Sequence, residues 1–307
     1  MDYEKILENL KSEFPNTKVF LNHPLANYTT VKIGGPADIF INTQNTQEFV
    51  NILKYLNEEL EKKTEAISFE ERNHVSEAQR VSTSKTSLQG KLPINILGNG
   101  SNVLISDSGI RGIVIKNDSQ EIEILPNNRV KVSSGTQLSY LINYTLDHNL
   151  LGLEEFAYIP STVGGAIAGK IHGIKGHFLD YIESVEKYND FIISAILKLT
   201  PGDSTQAKLE AKETIQKKSS IQSMNSLGSV FKNPIGKDPA GLIIDKQLSL
   251  KGYSIGDAQI SPKHGNFIIN NGNATAKDYL SLINLIQSQV QTKLGFQFEL
   301  EIKLLGE

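Results

Sequence analysis

The chain has 307 residues, which is long enough for one large domain or two of medium size. Its residues are 39% hydrophobic and 21% charged, a composition typical of a soluble globular protein with a sizeable core. The net charge of -3 gives no reason to expect nucleic acid or an acidic membrane surface as a partner, and the lack of cysteine excludes disulfides, thiolate metal sites and cysteine nucleophiles.

The N-terminal segment predicts two helices separated by a glycine turn. Apolar residues at helical spacing predict helices over Glu4–Phe14 and Asn45–Leu60, the second opening on a capping pair of Asn45 and Glu48. Between the helices, the Gly-Gly-Pro sequence at 34–36 predicts a turn joining two short strands.

Residues 61–90 differ in character from the rest of the chain. They are polar, and their few apolar residues have no sustained period, which predicts a flexible, solvated insert. The first 20 residues lack the apolar core of a secretory signal, and no stretch has the apolar length of a membrane span. We therefore expect a cytoplasmic protein without a membrane partner.

The middle of the chain alternates short strands with one helix. Leu138–His148 is the predicted helix, and Asn189-Asp190 is a two-residue turn that predicts a hairpin. Strands are predicted over Ile94–Leu97, Val103–Ile105, Gly112–Ile115, Ile122–Leu125, Val130–Val132, Glu183–Tyr188 and Phe191–Leu199. This mixture indicates an α+β or α/β fold.

After a predicted domain boundary at 201–203, helices and strands alternate again. Helices are predicted over Ser204–Lys218, over Ala240–Leu248 with Leu242, Ile243 and Leu248 inward, and over Thr275–Leu294 with Asn273 or Thr275 as cap. Strands are predicted over Gly265–Asn270 and over Phe298–Leu305, the latter with Phe298, Leu300, Ile302 and Leu304 on one face.

Two glycine-containing loops are candidates for ligand binding. In Gly98–Asn102, the glycines let the backbone present N–H groups to an anion such as a pyrophosphate, although a plain hairpin turn between two strands also fits. In Pro160–Gly165, a glycine pair beside two hydroxyl residues permits close approach to a flat ring or a diphosphate, although a tight loop leading into a packed helix also fits.

Taken in order, several stretches resemble one protein family. They are Thr30–Ala37, Leu97–Asn102, Ile159–Ala166, Gly228–Pro234, Leu250–Ala258, Ser261–Ile268 and Glu301–Glu307. Together they resemble the MurB-type UDP-N-acetylenolpyruvoylglucosamine reductases, flavoenzymes of cell-wall precursor synthesis. The resemblance extends from about Asn22 to Glu307, apart from the insert and a gap before the C-terminal region.

The resemblance implies an α+β protein with a two-subdomain FAD-binding domain of the vanillyl-alcohol-oxidase (PCMH) type, here residues 1–200. It also implies a C-terminal substrate domain, here residues 201–307. FAD would be the cofactor and NADPH the co-substrate for reduction of UDP-N-acetylglucosamine enolpyruvate to UDP-N-acetylmuramate; no metal is expected. Residues implied to contact FAD are Lys32, Gly34, Gly35, Gly98, Asn99, Gly100, Ser101, Asn102, Pro160, Ser161, Thr162, Gly164 and Gly165.

The resemblance also implies catalytic residues. Ser229 would donate a proton, helped by Lys232 or Lys217, and Glu301 would polarise or protonate the substrate carboxylate. Glu299, two residues earlier on the same predicted face, is the alternative to Glu301. Lys232 and Asn233 would contact substrate. For each of these residues, a structural turn or a solvent-facing position is the competing interpretation.

The sequence departs from the family at one catalytic element. Family members carry a Tyr-Arg pair, whose arginine helps stabilise the enolate, in a segment that is missing here near Tyr188. No arginine follows Arg129, so the candidate cations are Lys170, Lys175, Lys187 and Lys217. Three hypotheses remain: a working reductase, a catalytically weakened FAD-binding homologue that acts as a binding protein, and an oxidoreductase with another substrate.

Overall fold

The computed structural model describes residues 3–59, 93–173, 175–219 and 225–306, and the predicted insert at 61–90 lies outside these ranges. Within them, the helices are α1 (Tyr3–Glu13), α2 (46–59), α3 (Leu138–Asp147), α4 (Val163–Gly169), α5 (Ser204–Ser219), α6 (Ala240–Leu242, continued by a π-helical turn over Ile243–Gln247) and α7 (Ala276–Leu294). None of these helices combines the length and the hydropathy needed to cross a membrane.

The strands are short and fall into three four-stranded sheets and two small pairs. In chain order they are β1 (Lys18–Pro24), β2 (Pro36–Thr43), β3 (Ile94–Leu97), β4 (Val103–Ile105), β5 (Ile110–Asn117), β6 (Ile122–Leu125), β7 (Arg129–Ser133), β8 (Leu150–Leu151), β9 (Ile182–Tyr188), β10 (Phe191–Lys198), β11 (Thr200–Pro201), β12 (Ser226–Ser229), β13 (Ser254–Ile255), β14 (Ala258–Ile260), β15 (Phe267–Asn270) and β16 (Lys303–Leu305).

The first sheet has the order β1-β2-β5-β3, with β1 antiparallel to β2 and the other neighbours parallel. It packs on α1 and α2 through a cluster that includes Leu10, Phe49 and Leu53. The predicted cap of α2 is confirmed, because the Glu48 N–H donates to Asn45 Oδ1 over 2.9 Å.

The second sheet is antiparallel throughout, with the order β6-β7-β10-β9. The predicted hairpin between β9 and β10 is confirmed, and Asn189 takes the left-handed conformation at its turn (φ 51°). Helices α3, α4 and α5 cover this sheet. Ala207 and Ala211 of α5 are buried in its core, so α5 packs against the sheet that precedes the predicted boundary, and the boundary itself stays a prediction.

The third sheet, β12-β15-β14-β13, packs on α7 and forms the core of the C-terminal region. Val31, Ile33 and Leu104 of the N-terminal region are buried in the same cluster. Strand β16 returns to the N-terminal region and pairs in parallel with β4. The N-terminal and C-terminal regions are therefore joined by a shared apolar core and by the β4–β16 strand pair.

Three details of the predicted elements are wrong. The Gly-Gly-Pro turn is followed by β2 but preceded by a loop rather than a strand, and Lys32 there has a positive φ of 59°. Leu242 is exposed, whereas Ile243 and Leu248 are buried as predicted. Leu304 is exposed because β16 is short and pairs only with β4.

Asp107 links the N-terminal region to the start of α7. Its carboxylate accepts hydrogen bonds from the N–H groups of Ala276 (2.8 Å) and Lys277 (3.1 Å), while Thr275 caps the third N–H of the helix. We expect Asp107→Ala to lower the free energy of unfolding by about 1–2 kcal/mol, because two helix N–H groups lose a charged acceptor.

Urea unfolding followed by circular dichroism measures this effect. The control is Asp147→Ala, which removes an exposed ion pair with Lys208 and should change stability by less than about 0.5 kcal/mol. Equal stabilities of the two variants would contradict the capping role of Asp107.

Candidate active site

The Gly98–Asn102 loop connects strands that belong to different sheets. Strand β3 pairs with β5 in the first sheet, whereas β4 pairs with β16 from the end of the chain. The alternative of a hairpin turn is therefore excluded, because the flanking strands are not partners.

Side chains of this loop reach two other parts of the molecule. The amides of Asn99 and Gln137 exchange hydrogen bonds of 2.6 and 3.0 Å, which ties the loop to the start of α3. Asn102 Nδ2 donates to the Glu301 carbonyl (3.2 Å), and its own carbonyl accepts from the Lys303 N–H (2.9 Å). The loop thus lies where both subdomains and the C-terminal segment meet.

The glycines of the loop are required by close backbone contacts. Gly100 has a φ of +59°, and a Cβ atom there would stand 2.2 Å from the Tyr28 carbonyl oxygen. A Cβ atom on Gly98 would stand 2.7 Å from Thr162 Oγ1. Thr162 caps the first turn of α4 by accepting from the Gly165 N–H (3.1 Å), so the two glycine loops are in contact.

A cavity of about 270 Å³ lies beside these loops, between the first and second sheets. Its lining is largely apolar, with backbone, hydroxyl and amide groups and one acidic residue, Asp190, and it contains no lysine or arginine. It is lined by Ile94, Asn95, Ile96, Leu97, Gly98, Asn117, Ser134, Thr162, Gly164, Gly165, Ala168, Asp190, Phe191 and Ile192. Such a cavity suits a ligand that is held mainly by neutral donors and close backbone approach.

Ser229 and Glu301 are brought together by a short backbone ladder. The Glu301 N–H donates to the carbonyl of Val230, the residue after Ser229, over 2.9 Å, and the Lys232 N–H donates to the Glu299 carbonyl over 2.9 Å. Asn266 fixes this ladder, because its side chain both accepts from the Phe231 N–H (3.0 Å) and donates to the Phe231 carbonyl (2.7 Å). Asn266 lies in a motif of the sequence, but nothing local to it indicated this role.

Glu301 and Glu299 have different environments. Burial raises the pKa of Glu301, and His172 and Lys232 partly oppose this rise. Glu299 is exposed (74%) and its carboxylate pairs with Lys232 Nζ at 2.6 Å. Burial therefore favours the protonated form of Glu301, whereas its predicted alternative Glu299 is exposed and ion-paired.

The raised pKa of Glu301 gives a prediction about pH dependence. If the protonated carboxyl is the active form, turnover should fall as pH rises through a pKa above the ordinary glutamate value of about 4.3. Glu301→Gln should remove that alkaline limb, because the amide does not titrate. Steady-state rates from pH 5 to 9 measure both, with Glu299→Gln as the control that keeps the limb; an unchanged profile in Glu301→Gln would refute the assignment.

The other predicted residues are placed as follows. Lys32 is exposed and its Nζ donates to the Asn27 carbonyl (3.2 Å), while Gly35 lies in close contact with the Asp107 backbone. Asn233 Oδ1 accepts from the Ala240 N–H (3.0 Å), which is a structural contact that leaves its Nδ2 available. Gly34, Ser101, Pro160 and Ser161 lie in the same loops, and their ligand roles stay predictions.

The structure adds residues that the sequence did not indicate. Lys218 Nζ lies 4.9 Å from the ring centroid of Tyr158. Burial raises the pKa of Tyr158, and Glu155 and Glu301 raise it further; His172 lies near enough to Glu301 to affect its pKa. Of the predicted cations, Lys217 (77% exposed) pairs with Glu213, and Lys175 (78% exposed) pairs with Glu210.

Comparison with known proteins first defines the class. A family model described as an FAD binding domain matches residues 71–189. With the two sheets, the glycine loops and the cavity between them, this makes the protein a flavoprotein with an FAD-binding domain of the vanillyl-alcohol-oxidase type.

Matches that cover nearly the whole chain identify the family. The model of the C-terminal domain of UDP-N-acetylenolpyruvoylglucosamine reductase matches residues 218–305. Reductases of that name from Caldanaerobacter subterraneus subsp. tengcongensis and Listeria innocua are 33% and 31% identical, with 99% and 98% of this chain and 99% of each relative covered. The chain belongs to the UDP-N-acetylenolpyruvoylglucosamine reductase family, and the predicted resemblance is confirmed.

A solved structure agrees with this assignment. The crystal structure of UDP-N-acetylenolpyruvylglucosamine reductase (MurB) from Thermus caldophilus superposes with a TM-score of 0.72 at 27% identity, covering 95% of this chain and 99% of that one.

The residues present fit FAD. In the described part of the chain, the N–H groups of Asn99, Gly100 and Ser101 have no protein acceptor, so they are available to an anionic group such as a diphosphate. The adjoining cavity supplies neutral polar groups and glycine backbone for the remainder of the cofactor. Residues Gly98–Asn102 and Thr162–Gly165 would hold it, and the hydride chemistry is what FAD supplies when bound.

Proposed function

We propose that this protein is an NADPH-dependent reductase that converts UDP-N-acetylglucosamine enolpyruvate to UDP-N-acetylmuramate. The proposal is supported most by one observation: the cofactor loop, Ser229 and Glu301 are adjacent. Asn102 of the loop hydrogen-bonds to the Glu301 carbonyl, and the Glu301 N–H bonds to the carbonyl that follows Ser229. These contacts support a site in which FAD, Ser229 and Glu301 act on the same substrate group.

The chemistry explains why these groups are needed. The substrate double bond gains one hydride and one proton while NADPH is oxidised to NADP⁺. Hydride addition to the terminal carbon leaves negative charge on the adjoining carbon and its carboxylate. The chain must therefore supply an acid for that carbon and a donor or cation for the carboxylate.

The residues divide these tasks between them. Ser229 Oγ gives its proton to the carbon that carries the negative charge. Glu301, whose pKa burial raises, donates a hydrogen bond to the substrate carboxylate in its protonated form. Asn233 Nδ2 and Lys232 Nζ lie at the exposed side of the same turn and contact the nucleotide-sugar portion of the substrate.

The test is oxidation of NADPH by the purified, FAD-loaded protein with and without UDP-N-acetylglucosamine enolpyruvate. We expect oxidation that depends on the substrate. Bound flavin without such turnover would refute the reductase and leave a catalytically weakened binding protein, and turnover with another acceptor would indicate a different oxidoreductase. The preference for NADPH and the cytoplasmic location stay predictions; NADH in parallel assays tests the first.

A further inference from the structure

A lysine held over a tyrosine ring lies between the two predicted domains. Lys218 lies in the last turn of α5 and is half-buried, and Tyr158 is half-buried in the loop that leads to Pro160. The distance of 4.9 Å between Lys218 Nζ and the ring centroid is within cation–π range. Because a lysine has a long, flexible stem, such a contact restricts where its charge can lie.

Charged groups around Lys218 and Tyr158 connect this pair to the proposed catalytic residues Glu301 and Ser229. On one side, the Glu301 carboxylate is close enough to Tyr158 to raise the pKa of its hydroxyl. On the other, Lys218 is one of the charges that lower the pKa of His264, after burial. His264 stacks on Phe267 (centroids 4.5 Å apart), and Phe267 pairs with Ser229 across two strands. Lys218 therefore lies against the loop that leads into the predicted cofactor segment Pro160–Gly165, and His264 connects its surroundings to Ser229 through Phe267.

The other lysines are less suited to act there. Lys217 and Lys175 are exposed and paired with glutamates, and Lys232 pairs with Glu299. Lys170 and Lys187 are exposed on α4's end and on β9. Lys218 has no carboxylate partner within ion-pair distance in the described part of the chain, so its charge is available to a ligand.

We propose that Lys218 is the cation that stabilises negative charge on the carboxylate of the substrate's enolpyruvyl group, and that Tyr158 is the positioning residue that holds it. The inference rests on the proposed function and deepens it. When hydride adds to the terminal carbon, the double-bond electron pair moves toward the adjoining carboxylate, where a fixed ammonium group is attractive. Ser229 then protonates the carbon, and the charge on the carboxylate returns to its initial value.

The test separates the two half-reactions in the FAD-loaded protein by stopped-flow absorbance. We expect Lys218→Met to be reduced by NADPH at the wild-type rate, but to be reoxidised by the enolpyruvyl substrate about 10²–10³-fold more slowly. Lys218→Arg should recover part of that loss. The control is Lys212→Met, an exposed lysine on the same helix, which should match wild type.

The Tyr158 variants test positioning. Tyr158→Phe keeps the ring and should keep kcat within about threefold of wild type, whereas Tyr158→Leu removes the cation–π contact and should lower kcat about tenfold or more with little change in KM. Equal effects of Phe and Leu would overturn the positioning role.

The outcomes distinguish this inference from the proposed function. If the reduced wild-type protein is not reoxidised by the substrate, the proposed function fails. If wild type reacts and Lys218→Met reacts within threefold of it, the role of Lys218 is overturned while the function stands. Should Lys218→Met purify without flavin, Lys218→Gln is measured in its place and the same two outcomes apply.

Discussion

Replacement of Ser229 by alanine is expected to lower kcat by roughly 10³-fold, within the range found for removal of a general acid. The physical reason is that a carbon acquires negative charge in the proposed reaction, and Ser229, at the end of β12, is the proposed donor of the proton to it. The substrate KM should change little, because the hydroxyl acts on the reacting carbon rather than in binding. Steady-state kinetics and stopped-flow reoxidation by the substrate measure the loss.

Three comparisons make this result specific. Reduction of the bound flavin by NADPH should be unchanged in Ser229→Ala, since that half-reaction does not need the serine proton. Ser229→Cys should recover part of the rate, because a thiol is a stronger acid than a hydroxyl. The control is Ser254→Ala, an exposed serine in the same sheet. A Ser229→Ala variant with kcat within threefold of wild type would show that another group gives the proton.

Local features of the fold could be predicted because their causes lie within a few residues. The Asn45–Glu48 cap, the Asn189-Asp190 hairpin and the Thr275 cap of α7 each depend on a side chain and a backbone group close in the chain. The sequence-based predictions were wrong where contacts with residues distant in sequence decide whether a side chain is buried. Leu304 has the spacing of a buried residue, but β16 pairs only with β4 and leaves it exposed.

Some residues of the candidate site could likewise be predicted from the sequence, and others could not. Gly98–Asn102, Ser229 and Glu301 were predicted because family motifs mark them in the sequence. Tyr158 and Lys218 were not, because their contact joins the loop before α4 to the end of α5, and neither residue has an unusual neighbour in the sequence. Glu301 and Glu299 share one predicted strand face, so the sequence could not show that Glu301 is the more buried and that Glu299 is exposed and paired with Lys232.

Replacement of Gly100 by alanine is expected to abolish retention of FAD and to lower the free energy of unfolding by more than about 3 kcal/mol. Two effects add. A non-glycine residue in the left-handed region costs about 1–2 kcal/mol. The new Cβ atom would also stand 2.2 Å from the Tyr28 carbonyl oxygen and 2.8 Å from Thr29 Cα, so backbone atoms must move apart.

The displaced segment explains why the cofactor should be lost together with stability. The Gly100 carbonyl accepts from the Thr30 N–H (3.2 Å), and Thr30 Oγ1 donates to the Ser226 carbonyl (2.6 Å). Moving the 28–30 segment therefore disturbs the link between the cofactor loop and β12, which carries Ser229. Flavin absorbance after gel filtration and urea unfolding measure the two effects.

Gly236→Ala is the matched control, because Gly236 has a φ of +69° but nothing within 4 Å of the added Cβ. The free energy of unfolding of Gly236→Ala should fall only by the conformational cost of about 1–2 kcal/mol, and the variant should keep FAD. The difference between the two variants isolates the backbone contact at the loop. If Gly100→Ala retained stoichiometric FAD with the stability of Gly236→Ala, the close approach of Tyr28 would not be needed to shape the loop, and its N–H groups would have to be positioned by Asn99 and Asn102 alone.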